Sequence, residues 1–347
     1  MSDTVLVAAK TVEGAIGEVL RRRGVPEVDA RATARGLVGA NLRGVDTHGL
    51  SCLPDYAKAL DEKRLKATPT MTVERRLPWA ATLDADNGLG PVAATRAMEL
   101  ALESADQLGV GAVAVRRSNH FGAAGVYAAR AAERGCVGIV TANASSVCAP
   151  FGAAAPMLGT NPLAVAVPVG RHPAFVLDMA TSEGSRKKVR KALAEGKPIP
   201  SGWALGPDGR PTTDPQAALA GVMLPFGGVK GAGVTLLMDI LSGVLTGAEF
   251  GGRVLSVMTN QERESGNGHF VLAFKVSAFM PEADFRARMD EEIARLKALP
   301  PAAGFDEVMY PGEREWRIEA ERSAKGIPLP ISLVKTIVEL GGELLRG

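Results

Sequence analysis

Five short apolar runs constrain this chain more than any other feature: VGAVAVR (110–116), CVGIVTA (136–142), LAVAVPV (163–169), AFVLDMA (174–180) and HFVLAFKV (269–276). Each has the length and the β-branched or aromatic content of a strand. Apolar and polar residues alternate only weakly within them, the pattern of a sheet covered on both faces. The alanine-rich stretches 91–108 and 123–135 read as helices able to supply that cover. The expected fold class is therefore α/β, of the α+β kind.

The flanks read differently. VAAKTVEGAIGEVLRRRG and PEVDARATARGLVGANLRG are helices closed by glycine, and LPDYAKALDEKRL extends the helical start. Residues 66 to 76 turn polar and proline-bearing, which places a lobe boundary near residue 76. A charged helix over 282–298 and a last helix from about Pro330 close the chain. Residues 1–76 with 281–347 are expected to form a helical lobe, and 77–280 the sheet lobe. The most apolar stretch, GAGVTLLMDILSGVLTG, spans only 231–247 and contains Asp239, so it reads as a buried helix rather than a membrane span.

The 40 lysines and arginines nearly balance 38 acids, leaving a net charge of +2. That balance gives no electrostatic basis for nucleic acid or a membrane surface as the main partner, and points to a small-molecule ligand. The N-terminus, MSDTVLVAAK, has an acid at position 3, no basic segment and no uninterrupted apolar segment, so it is not read as a signal peptide. Cys52, Cys136 and Cys148 form no CxxC pair and leave an odd count, which suits a reducing compartment. A cytoplasmic protein is expected.

Neither GxGxxG nor GxxxxGK[ST] occurs, so the usual dinucleotide and P-loop signatures are missing. The nearest glycine cluster, PFGGVKGAG (225–233), could let backbone N–H groups approach an anion while Lys230 adds charge; it could equally be a tight turn. GTNP (159–162) offers donors or plain turn chemistry. Asp178 ends a strand, a position from which an acid can bind ribose hydroxyls or cap a neighbouring element. The basic run SRKKVRK (185–191) is either a solvated helix face or an anion-recognition segment.

Of four histidines, His172 and His269 sit in polar turn contexts and are expected to be exposed. His48, beside Thr47 in RGVDTHG, and His120, in RRSNHFGAAG between a strand and a helix, lie at element ends, where loop residues reach a cleft. Two such imidazoles suit acid–base work near neutral pH. No HExxH, Cys/His cluster or EF-hand loop argues for a metal, and no GxSxG argues for nucleophilic hydrolysis.

In order along the chain, RGVDTHG, NHFGAAGVYA, FGAAAPMLGTNPLAVAVP, LDMATS, LPFGGVKGAG and YPGE resemble the motifs of the malate/L-lactate dehydrogenase family. That family, distinct from the Rossmann malate and lactate dehydrogenases, includes ureidoglycolate, sulfolactate and diketogulonate oxidoreductases and reductases of piperideine-2-carboxylate, all using NAD or NADP. The resemblance implies an unusual, largely antiparallel sheet for the dinucleotide, which accounts for the missing GxGxxG. It also implies a homodimer with active sites built across the subunit interface.

Carried over by position, the resemblance makes His48 the proton donor, Thr47 its hydrogen-bonded relay, and His120 a proton acceptor or cofactor contact. Gly159, Asp178, Met179, Ala180, Arg186, Lys187, Val229, Lys230, Gly312, Glu313 and Arg314 fall where relatives hold NAD or NADP. The implied reaction is hydride transfer between nicotinamide and C2 of a 2-hydroxy or 2-oxo acid. Alternatives are reduction of a cyclic imine carboxylate, or a ligand-binding relative whose catalysis has lapsed. One departure stands out. Where relatives often carry HGxxR, its arginine clamping the substrate carboxylate, this chain reads HGLSC and has Cys52. Arg43, Arg116 or Arg117 is left to take that role, or the substrate differs.

Overall fold

The computed structural model describes residues 4–260 and 263–344. Asp3, on which part of the N-terminal reading rests, and residues 345–347 of the expected helical lobe lie outside them.

The chain starts with β1 (Thr4–Val7), α1 (Ala9–Arg21), α2 (Glu27–Leu42) and α3 (Leu53–Asp61). Strands β2 (Thr72–Leu77) and β3 (Ala80–Asp84) lead through α4 (Gly90–Leu108) to β4 (Val110–Ser118), α5 (Ala124–Glu133) and β5 (Cys136–Ala142). After β6 (Leu163–Val167) and β7 (Phe175–Met179) comes a small unit of α6 (Arg186–Ala194), β8 (Ala204–Leu205), β9 (Pro211–Thr212), α7 (Pro215–Ala220) and β10 (Val222–Met223). Then follow α8 (Gly228–Asp239), β11 (Asn267–Lys275), α9 (Glu282–Lys297), α10 (Glu313–Lys325), β12 (Ile327–Pro330) and α11 (Ile331–Glu339).

The central sheet has the order β2-β3-β4-β11-β5-β6-β7. Only β3 and β4 run parallel; every other neighbouring pair is antiparallel. This is the largely antiparallel, non-Rossmann sheet that the resemblance implies. β2, in the stretch read from sequence as a polar connection, is its edge strand and is exposed throughout.

The helices α4 and α5 lie on one face of the sheet, and their alanines are what let them approach. Ala93, Ala97, Ala101, Ala128 and Ala131 are fully buried against Val113, Val140 and Val271. Two strand glycines complete the fit. A Cβ on Gly111 would stand 2.0 Å from the Ala101 carbonyl oxygen, and one on Gly138 would stand 2.5 Å from the Ala131 Cβ. Backbone therefore meets backbone where a side chain would otherwise keep the layers apart.

The opposite face corrects the expectation of a sheet covered on both sides. In β11, His269, Val271 and Ala273 point into the helical layer, while Phe270, Leu272 and Phe274 alternate to the other face and stay half-buried. Residues 231–247 also depart from the buried helix expected. After α8 the chain makes a π-turn over Ile240–Val244, and Leu236, Leu237, Ile240, Val244 and Leu245 are exposed. His269, expected on the surface, is fully buried, with its Nε2 2.8 Å from Ser118 Oγ. The sequence context around it is polar because the strand enters there from a turn; the inward register of β11 decides its burial.

A second core joins both chain ends. β1 pairs antiparallel with β12, and Ile16, Leu20, Leu37, Leu53, Ile327 and Ile337 are buried together there. The helix α9, by contrast, turns to the sheet side: Ile293 packs with Val169 and Tyr310, and Asp290 accepts from the Arg171 backbone N–H at 2.9 Å. Residues 281–344 are thus shared between the two cores. Among the described residues no helix is long and apolar enough to cross a membrane.

Candidate active site

A cavity of about 350 Å³ opens where the two cores meet, within the size range of small-molecule sites. The end of α2 contributes Ala40 and Arg43, the turn after it His48, and the β4–α5 loop His120 to Gly125. Strand ends add Asn143, Asp178 and Asn267, and the start of α10 adds Gly312, Glu315 and Trp316. Polar residues at strand ends and backbone at helix starts are groups whose donors the secondary structure does not consume.

His48 and His120 stack across this cavity with ring centroids 5.6 Å apart and planes 22° from parallel. Thr47 Oγ1 lies 2.9 Å from His48 Nδ1, and Thr47 is itself exposed, so the imidazole is linked to solvent through one hydroxyl. His48 is exposed where it meets the cavity; loss of water on the sides that protein covers, with the charge of Lys187 added, pushes its pKa down to about 4. His120 is pushed down to about 3, first by burial and then by His48. Both rings are therefore neutral at physiological pH. Tyr56 Oη approaches His120 Nδ1 at 2.8 Å, and the Gly122 N–H donates to the same nitrogen at 3.4 Å. Tyr56 also donates to the His120 carbonyl at 3.0 Å, and the Gly122 donor on Nδ1 favours the tautomer that turns an Nε2 proton toward the cavity.

Asp178 does two things at once. Its Oδ2 accepts the Gly125 N–H at the start of α5 at 2.8 Å, and its carboxylate still faces the hollow. Burial raises its pKa to about 6, the Gly125 bond pulling the other way. Of the two readings the sequence left open, the geometry shows the cap, and the carboxylate stands on the cavity wall as well.

The residues present fit the dinucleotide that the resemblance implies. Arg43 lines the cavity with Nη1 buried and unpartnered, while its Nε donates to Glu319 at 3.1 Å and its guanidinium lies 4.6 Å from the Trp316 ring. A guanidinium on the cavity wall that still has an unpartnered N–H suits a phosphate or ribose oxygen. Ala123 and Ala124, at the start of α5, offer backbone N–H groups and the positive end of a helix. Gly312 has φ 93°, and a Cβ there would meet the Val176 nitrogen at 2.9 Å, so only glycine lets α10 close against β7.

The sequence-level candidates divide. His48, His120, Asp178, Ala180 and Gly312 line the cavity. Gly159 backs it, packed so tightly that a Cβ would fall 2.3 Å from the Ala144 oxygen. Met179 is outside the lining. Arg186 donates to the Leu219 carbonyl at 2.7 Å, and Lys187 to the Thr47 carbonyl at 3.1 Å. Val229 and Lys230 are exposed at the start of α8, outside the lining. Glu313 is bound to Lys297 at 2.6 Å and to Arg317, and Arg314 is exposed; the cavity is met instead by Glu315 and Trp316. Of the cations considered for the substrate, Arg116 and Arg117 are paired with Asp84, Asp86 and Glu264 away from the lining. Sequence reasoning missed Tyr56, Trp316, Asn143 and Asn267. Trp316 follows Gly312 by one helical turn, the only local signal for it.

Comparisons with known proteins agree with this geometry. The family model described as malate/L-lactate dehydrogenase matches residues 7–338. The L-sulfolactate dehydrogenase of Methanocaldococcus jannaschii is 40% identical over 327 residues, covering 94% of each chain. The solved structure of sulfolactate dehydrogenase from that organism superposes with a TM-score of 0.92 at 38% identity, covering 98% of both chains. The (2R)-3-sulfolactate dehydrogenase (NADP(+)) of Chromohalobacter salexigens is 36% identical over 335 residues, 95% of this chain and 96% of that one. The ureidoglycolate dehydrogenase (NAD(+)) of Escherichia coli is 33% identical over 323 residues, 93% and 92% of the two chains.

Proposed function

The chain belongs to the malate/L-lactate dehydrogenase family, and from that premise we propose that it interconverts the hydroxyl and carbonyl at C2 of a small 2-hydroxy or 2-oxo acid between His48 and His120. It is an NAD(P)-dependent oxidoreductase. The observation that carries the site assignment is the stacked histidine pair at 5.6 Å with Thr47 hydrogen-bonded behind His48.

When bound, the dinucleotide supplies the hydride donor or acceptor. Arg43, Asp178, Ala180, Gly312 and the start of α5 would hold it. His48, neutral at physiological pH, takes the hydroxyl proton during oxidation and passes charge toward solvent through Thr47. In reduction the proton given from Nε2 to the substrate oxygen is replaced at Nδ1 by the Thr47 hydroxyl proton, and the hydroxyl takes a proton back from solvent, so the ring ends neutral. His120, whose Nδ1 is held by Tyr56, orients the substrate oxygen through Nε2.

The half-covered sheet face supports a homodimer. Phe270, Leu272 and Phe274 are half-buried on that face, and Leu236, Leu237, Ile240 and Val244 on and just after α8 are exposed, apolar side chains that a second copy would cover. Light scattering should give twice the chain mass, and Leu237→Glu should shift the population to monomer. Cys52, Cys136 and Cys148 are free and buried, which supports a reducing, cytoplasmic setting.

The test is a substrate panel of lactate, malate, 3-sulfolactate, ureidoglycolate and piperideine-2-carboxylate, each with both cofactors. Turnover of a 2-hydroxy acid supports the reading. Turnover of the cyclic imine alone would replace it, and binding without turnover would mark a lapsed enzyme.

A further inference from the structure

Lys187 is not accounted for by the fold. Ser185 caps α6, its Oγ accepting the Lys188 N–H at 3.2 Å, so Arg186, Lys187 and Lys188 fill the first helical turn. Cations there oppose the helix dipole, so helix stability does not explain them. Arg186 is used on the Leu219 carbonyl, and Lys188 lies over the Trp203 ring. Lys187 crosses instead to the histidine turn, where Nζ donates to the Thr47 carbonyl at 3.1 Å. Among the described residues no carboxylate is within ion-pairing distance of it.

The same carbonyl oxygen accepts from Cys52 Sγ at 3.5 Å. The ammonium thus stands beside the side chain at position 52, where the resemblance expects a carboxylate-clamping arginine. A buried thiol there leaves room for an approaching cation and supplies none itself. Electrostatics agree with the geometry: at His48, Cys52 and Asp55 the strongest influence after burial is the charge of Lys187, and His120 feels it too.

We propose that Lys187 binds the carboxylate attached to the reacting carbon, delivering from α6 the cation that position 52 lacks. This rests on the reading of the cavity as a 2-hydroxy-acid site, and it moves Lys187 from the dinucleotide to the substrate. With one N–H spent on Thr47, two remain for the carboxylate. A flexible point charge imposes less geometry than a guanidinium fork, so the site should accept acids that differ in the size of the group beyond C2.

Lys187 is exposed, which makes Lys187→Met a variant of the surface rather than of the core. With saturating NADH or NADPH, its KM for the accepted 2-oxo acid should rise about 10- to 100-fold, the loss of one charged hydrogen bond. Its dinucleotide Kd, read by nicotinamide fluorescence, should stay unchanged, and Lys187→Arg should retain most of the wild-type KM. A raised dinucleotide Kd with an unchanged KM would return Lys187 to the cofactor and overturn the proposal. So would a Lys187→Met enzyme equal to wild type in both constants. A wild-type chain that turns over no 2-oxo acid with either cofactor would instead remove the underlying reading, and the proposal with it.

Discussion

His48 and His120, from turns on opposite sides of the cavity, stack 5.6 Å apart; His48 makes His120 harder to protonate, while burial and the charge of Lys187 do the same to His48. The consequence is a shifted pH profile. A base in the oxidation direction must be neutral, and His48 keeps its neutral form down to about pH 4 rather than 6.5. For 2-hydroxy-acid oxidation, kcat/KM should therefore hold nearly level from pH 7 to pH 5 and fall only below that, with behaviour of a single lost base. An acid limb near pH 6.5 would show that burial does not govern this imidazole.

Arg43 gives a prediction on the cofactor side. Arg43→Met takes away the cation on the cavity wall together with its unpartnered Nη1, and the dinucleotide Kd should rise about 10-fold or more. The KM of the acid should change far less. Fluorescence titration beside steady-state kinetics separates the two, and an unaltered Kd would exclude Arg43 from the dinucleotide.

The sheet was legible in the sequence and its half-covered face was not. β-branched runs and alanine-rich helices are local signals, and they located β4, β5, β6, β7, β11, α4 and α5 within a few residues. Whether Phe270 and Leu272 are covered depends on what packs across the sheet, and no strand encodes that alone. His48, His120 and Asp178 stood out because each ends an element. Arg43 was noticed only as a charge. Its orphaned Nη1, the Trp316 ring beneath it and the approach of Lys187 to Thr47 come from segments far apart in the chain, and only folding brings them together.

Two glycines should respond oppositely to the same methyl group. Gly111→Ala forces a Cβ to within 2.0 Å of the Ala101 oxygen, so α4 must lift from β4. Overpacking of this kind costs roughly 1–3 kcal/mol. Gly14, inside α1, has nothing within 4 Å of its would-be Cβ, and Gly14→Ala should stabilise by about 0.5–1 kcal/mol. Urea unfolding of both variants checks the pair; a neutral Gly111→Ala would mean that the helix–sheet contact is looser than described.

His269 should make the fold sensitive to acid. Burial lowers its pKa from 6.5 to about 3, so the unfolded chain binds this proton before the folded one does. Its contribution is intact above pH 6.5 and is lost progressively as the pH falls toward 3. Stability measured from pH 7 to pH 4 should therefore decline, and His269→Gln should flatten that decline even if it lowers stability at pH 7. A slope unchanged by the substitution would assign the acid sensitivity to other groups.

The central claim is tested most directly by initial rates of nicotinamide oxidation with a set of 2-oxo acids, wild type against His48→Ala. The wild-type chain should reduce at least one of them with NADH or NADPH. His48→Ala should lower kcat by ~10²–10⁴-fold while the dinucleotide Kd stays where it was. A His48→Ala enzyme with near-native kcat, or a wild type inactive on every 2-oxo acid with both cofactors, would contradict the account.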